Sequence, residues 1–383
     1  MSSTALYDLS PLVRLMIMGI VIALGPLAWV WLRSRNMPTA RRLRLLTLLT
    51  LFLTFDLVIF GAFTRLTDSG LGCPDWPGCY GHATPIGAQL YIDEAQAALP
   101  SGPVTRPKAW IEMIHRYLAT GVGVLILTLA IGTWFERRRT LISPWWPLVT
   151  LLWVCLQGAF GALTVTMKLF PAIVTLHLLG GMALLALLKI QAVRYAQAQS
   201  EQLPVFLPGN LRVFAWATFI LLWLQIALGG WVSTNYAVLA CTAFPSCQGS
   251  LWPAMNFSQG FTVWRELGLA GNGESISFEA LTAIHYTHRL AAYLLFVAAI
   301  GLAFSLHRNR LMSTQARWLA GLTVFQVATG LGNVLLGWPL AAAVLHTGGA
   351  AALVIVLTGI VFSASRTSHA ASASKLGASR MLA

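Results

Sequence analysis

FGAFTRLTDSGLGCPDWPGCYG, from Phe60 to Gly81, returns without a gap as LGGWVSTNYAVLACTAFPSCQG, from Leu228 to Gly249. Each copy starts at the end of an apolar run and closes on two cysteines with five residues between them, Cys73/Cys79 and Cys241/Cys247. The echo continues down the chain. EMIHR (Glu112 to Arg116) answers HYTHR (His285 to Arg289), and Gln157-x3-Gly161 stands 20 residues before His177 as Gln326-x3-Gly330 stands before His346. The chain is one unit written twice, and the nature of that unit decides the fold.

Composition identifies it. Of 383 residues, 57% are hydrophobic and only 10% charged, with mean hydropathy +0.71. A soluble domain carries roughly 25% charged residues. Nine stretches are long and apolar enough to span a bilayer, near 12–32, 43–64, 110–134, 145–166, 172–192, 212–234, 281–305, 314–336 and 340–363. Backbone in lipid must satisfy its own hydrogen bonds, so runs of this length are helices. The predicted fold is an all-α polytopic membrane protein. Two tandem four-helix bundles, each with four spans and the same way up, are related by a pseudo-twofold axis along the membrane normal. The span at 12–32 is an additional N-terminal helix. The expected division is 1–42 for that helix and its basic loop, 43–195 and 196–365 for the two bundles, and 366–383 for a disordered Ser- and Ala-rich tail.

The net charge of +13 does not point to nucleic acid. Most of the basic residues cluster in alternate loops and the tail: Arg33, Arg35, Arg41, Arg42 and Arg44, Arg137 to Arg139, Lys189, Arg194 and Arg212, Arg308, Arg310 and Arg317, and Arg366, Lys375 and Arg380. Those segments hold only the acids Glu136 and Glu201, which is the positive-inside pattern. It predicts a cytoplasmic C-terminus and an N-terminus outside, with no cleavable signal at the start. Both cysteine loops then face outward, where disulfides persist, and this favours a disulfide in each over a redox-active pair or a zinc half-site. Cys155, inside a span, reads as an ordinary buried thiol. The segments 82–109 and 250–280 should cover the outer mouths of the bundles.

The repeat carries histidine. His115 and His177 in the first half match His288 and His346 in the second, each about 8–12 Å below the outer end of its span at 1.5 Å per residue. Two imidazoles facing each other from two helices suit the axial positions of a heme iron. Glycines near them (Gly121, Gly123, Gly180, Gly181, Gly348, Gly349) would leave a slot for a flat ring. The alternative is that intramembrane histidines merely glue helices together, but four at level, repeated positions favour ligation. Glu112 lies one turn before His115 on the same face, while its counterpart is His285, so only one half carries a carboxylate. Acids in this setting default to function, here proton transfer; the alternative is a helix-start acid favoured by the dipole. Arg65, Arg116 and Arg289 are candidate contacts for propionates or lipid phosphate. Asp56, mid-span and opposite Leu224 in the repeat, reads equally as a proton-path residue or a buried hydrogen-bonding one.

At these residues the chain resembles the heme A synthase family of the CtaA type, which has a mitochondrial relative. The resemblance spans roughly 43–365 and rests on GAFTRLTDSGLGCPDWPGC, EMIHR, TLHLLGG, VLHTGGA and the second cysteine pair. It implies an oxidoreductase of the bacterial cytoplasmic (inner) membrane that converts the C8 methyl group of heme O to a formyl group, making heme A for terminal oxidases. It further implies that His288 and His346 hold a cofactor heme b, that His115 and His177 bind the substrate heme O, and that Glu112 is catalytic. The resemblance also implies disulfides Cys73–Cys79 and Cys241–Cys247. Implied partners are the bilayer, heme O synthase and a membrane or soluble electron donor, with room for a homo-oligomer and no nucleic acid. The added helix 12–32 and His285 depart from the simplest family pattern. The competing function is a diheme b-type electron-transfer protein without its own chemistry, which would have no use for a carboxylate on one side only; a transporter is a more distant third.

Overall fold

The computed structural model describes residues 10–139 and 142–365, so the expected tail at 366–383 lies outside the described residues. Eleven α-helices are present among them: α1 (Ser10–Arg33), α2 (Thr39–Leu66), α3 (Gln89–Ala98), α4 (Arg106–Glu136), α5 (Trp145–Thr166), α6 (Pro171–Ala198), α7 (Gly209–Thr234), α8 (Phe257–Gly260), α9 (Phe278–Arg308), α10 (Ser313–Leu335) and α11 (Leu340–Ser363). All but α3 and α8 are long and apolar enough to cross a membrane, which gives the nine spans read from hydropathy.

Helices α2, α4, α5 and α6 form one bundle and α7, α9, α10 and α11 the other. Between them α6 packs on α7, α2 on α11, and α6 on α11, the pattern a pseudo-twofold produces. One hydrophobic core runs through both, from Leu125 and Leu185 to Leu302 and Ile360. Polar side chains within it are spent locally: Thr47, Thr50 and Thr54 each donate to the carbonyl four residues earlier, and Gln191 on α6 donates to Thr47 Oγ1 at 3.0 Å. The added helix α1 lies outside α4. Gly19 makes this possible, since a Cβ there would sit 2.4 Å from Thr120 Cγ2. Such small-residue contacts are the usual means of close helix approach in lipid.

On the basic side, Glu201 after α6 pairs with Arg41 and Arg44 of α2. Also there, a two-residue strand β1 (Val205–Phe206) pairs in parallel with β2 (Ala364–Ser365), joining the linker between bundles to the end of α11. On the opposite side stand the two cysteine loops, and the ends of α2 and α7 meet. Arg65 donates to Ser233 O at 2.6 Å and to Tyr236 Oη at 3.0 Å, stacks its guanidinium over that ring, and pairs with Asp68, to which Tyr236 also donates.

Candidate functional site

Both cysteine pairs are closed as disulfides and fully buried. The first loop touches α4 backbone to backbone at Gly72, where a Cβ would come within 2.4 Å of the Lys108 carbonyl carbon. That approach delivers the Cys73 N–H to Glu112 Oε2 at 2.8 Å. Arg116, one turn further on, donates through Nη2 to Glu112 Oε1 and through Nη1 to the loop carbonyls of Asp75, Pro77 and Gly78. Glu112 is therefore 4% exposed, with both oxygens held by donors, a setting that fits the acceptor-only carboxylate. It lies well beyond the first turn of α4, which contains no acid, so the helix-start reading fails.

The second loop repeats the scaffold without the carboxylate. Arg289 Nη1 reaches the carbonyls of Pro245 (3.4 Å) and Ser246 (3.1 Å). His285, where Glu112 stands in the first half, turns its Nδ1 to Ala237 O at 3.0 Å. Arg289 Nη2 is left buried with no hydrogen-bond partner. Of the three arginines singled out for propionates, Arg65 is engaged in the contact between bundles and Arg116 by Glu112 and the loop, whereas Arg289 keeps one free arm.

All four repeat histidines border a single cavity of about 1570 Å³, together with Glu112, Arg116 and Arg289 and, from the loops, Trp76 and Phe244. One small-ligand site typically measures ~300–1,000 Å³, so there is room for more than one flat group. His115 of α4 and His177 of α6 line it in the first half, as His288 of α9 and His346 of α11 do in the second. Each ring is backed by a glycine of a neighbouring helix: a Cβ would stand 3.0 Å from His115 Cε1 at Gly61, 3.5 Å from His177 Cε1 at Gly161, 2.9 Å from His288 Cε1 at Gly229 and 3.3 Å from His346 Cε1 at Gly330. His115 and His177 each bury an unpartnered Nδ1. Among the described residues no three metal-binding side chains converge. The residues fit a heme-type group in each half.

Several glycines serve otherwise than the sequence suggested. Gly180 and Gly349 make room for Gln157 and Gln326, Gly348 packs on Ile59, and Gly121 faces Ile22 of α1; Gly123 and Gly181 do line the cavity. Gly61 and Gly229 were missed, although they occupy matching columns of the opening repeat. Asp56 is exposed on α2 and does not border the cavity, so it is not buried inside the bundle. Cys155 is also exposed, along the cavity, rather than buried, because α5 is the span least covered by its neighbours. Alkylation without reductant should therefore label Cys155 alone; mass spectrometry finding label on Cys73, Cys79, Cys241 or Cys247 would contradict the closed loops.

Fold and site together define a polytopic membrane protein built by internal duplication, with a pair of half-buried histidines bordering the cavity in each half. The chain matches the COX15-CtaA family, described as cytochrome oxidase assembly protein, over residues 44–358, and it belongs to that family. A heme A synthase of Shewanella oneidensis is 38% identical over 313 residues, covering 82% of this chain and 93% of the relative. Heme A synthases of a Bradyrhizobium and a Caulobacter species are each 30% identical, over 82% and 80% of this chain and 87% and 91% of their own lengths.

Proposed function

We propose that this protein is a heme A synthase of a bacterial inner membrane, oxidising the C8 methyl group of heme O to a formyl group. In this reading residues 43–195 form the substrate half, with heme O between His115 and His177, and residues 196–365 hold heme b between His288 and His346. The disulfide loops and the N-terminus face outward and the C-terminus the cytoplasm.

The observation that carries the reading is the one-sided carboxylate: two matched histidine pairs share a cavity, and among the described residues only the first has an acid beside it. Oxidising a methyl group removes electrons and protons and adds oxygen. Heme supplies the redox capacity that side chains lack. The chain's own residues bind, orient and move protons. Glu112, oriented by Arg116 and the Cys73 amide, accepts a proton at one of its carboxylate oxygens as the methyl is oxidised. Trp76 and Phe244 give the loop side of the cavity an aromatic, apolar lining. Arg289 Nη2, buried and unpaired, is the guanidinium arm best suited to a propionate of the second heme.

Pigment extraction from the purified protein tests the reading against a pure electron carrier. Heme O, heme A or a hydroxylated intermediate alongside heme b is expected. Two hemes b per chain and nothing else would replace the synthase with the diheme alternative.

A further inference from the structure

The two histidine pairs differ in what lies behind the rings. His346 Nδ1 is 3.0 Å from Thr329 Oγ1, and that hydroxyl is itself 2.9 Å from the Phe325 carbonyl. The hydroxyl donates to the carbonyl and accepts from Nδ1–H, which leaves the lone pair of His346 on Nε2. Gln225 Nε2, a donor, lies 3.0 Å from His288 Nδ1 and 3.4 Å from its Nε2 and donates to the His288 carbonyl at 3.1 Å. Its acceptor oxygen is unpartnered, so it does not take up an Nδ1–H as Thr329 does. In the register set by Gln157/Gln326 and Gly161/Gly330, the residue matching Thr329 is Phe160; in the register of Gly61/Gly229, the one matching Gln225 is Leu57. Neither can hydrogen-bond a ring nitrogen, and it is behind His177 and His115 that Nδ1 is buried with no partner.

We propose that Thr329 is a positioning residue that fixes His346 as a permanent ligand, while Phe160 leaves His177 free to release, so that the second half retains its heme and the first exchanges it. This rests on the heme-binding reading above and adds to it the reason the halves behave differently. A substrate site must break its axial bonds once per turnover, whereas a resident cofactor must not. A hydrogen bond to the far nitrogen fixes the tautomer and orientation of a ligating imidazole and raises its basicity, and loss of such a partner typically costs 10–100-fold in metal affinity.

The test uses the full-length protein in detergent, loaded with heme b, with excess apomyoglobin as acceptor for released heme. Thr329→Val keeps the shape and removes the hydroxyl. Its second-half heme should leave roughly 10–100-fold faster than in the unaltered protein. Its reduction potential should rise, because a less basic imidazole stabilises the ferric state less. Thr329→Ser should restore both values. Conversely, Phe160→Thr, which supplies the missing acceptor behind His177, should slow release of heme from the first half. Unchanged release and potential in Thr329→Val, or equal change in the Val and Ser variants, would overturn the inference and leave the functional reading standing. Unaltered protein that retains no heme at all would remove both.

Discussion

Glu112→Gln should abolish most heme A formation while leaving the protein inserted and its second heme in place. Glutamine keeps an acceptor for the Cys73 amide but cannot take up a proton at this position. A general base typically contributes about 10²–10⁴-fold in rate, so heme O or an early hydroxylated product should dominate the pigment chromatogram. The substitution also removes the charge opposite Arg116, and breaking a buried pair can cost ~3–5 kcal/mol. Arg116 retains the carbonyls of Asp75, Pro77 and Gly78, which soften that loss. His115→Ala should differ by losing heme O itself. Heme A made at the normal rate by Glu112→Gln would reduce the acid to a clamp on the first loop.

The second large effect belongs to the other half. If His288 and His346 hold heme b as proposed, replacing either by Ala takes away one of its donors, so the low-spin b-type absorption of purified protein should collapse or convert to high spin. His285→Ala should leave it largely intact, because His285 spends its Nδ1 on the Ala237 carbonyl. A full low-spin spectrum in both ligand variants would refute the assignment.

The nine spans and the duplication were legible because lipid imposes length and apolarity, and because a repeat shows itself without any structure. Helix ends were less so. α4 begins at Arg106, capped by Thr105 with a proline in its first turn, and α9 at Phe278, capped by Ser277; hydropathy registers only the apolar stretch inside each cap. Helix α3, lying in the loop after the first disulfide, leaves no hydropathy signal. At the site, the histidines and Glu112 stood out through repetition and its one breach. The roles of Arg116, Phe160 and Thr329 did not, since they depend on which carbonyls the loop offers and which ring nitrogen faces inward.

The contact between α2 and α7 bears on how such a molecule came to be. Arg65 meets Ser233 and Asp68 meets Tyr236, and each partner is the other's own copy in the repeat. In a symmetric dimer of identical four-helix chains, an axis through this point would set arginine against arginine and aspartate against aspartate. Joining the halves in one polypeptide lifts that constraint: a position and its duplicate can diverge into a complementary pair. The seam thus marks a molecule committed to being a heterodimer with itself, and the same freedom permits a glutamate on one side of the axis and a histidine on the other.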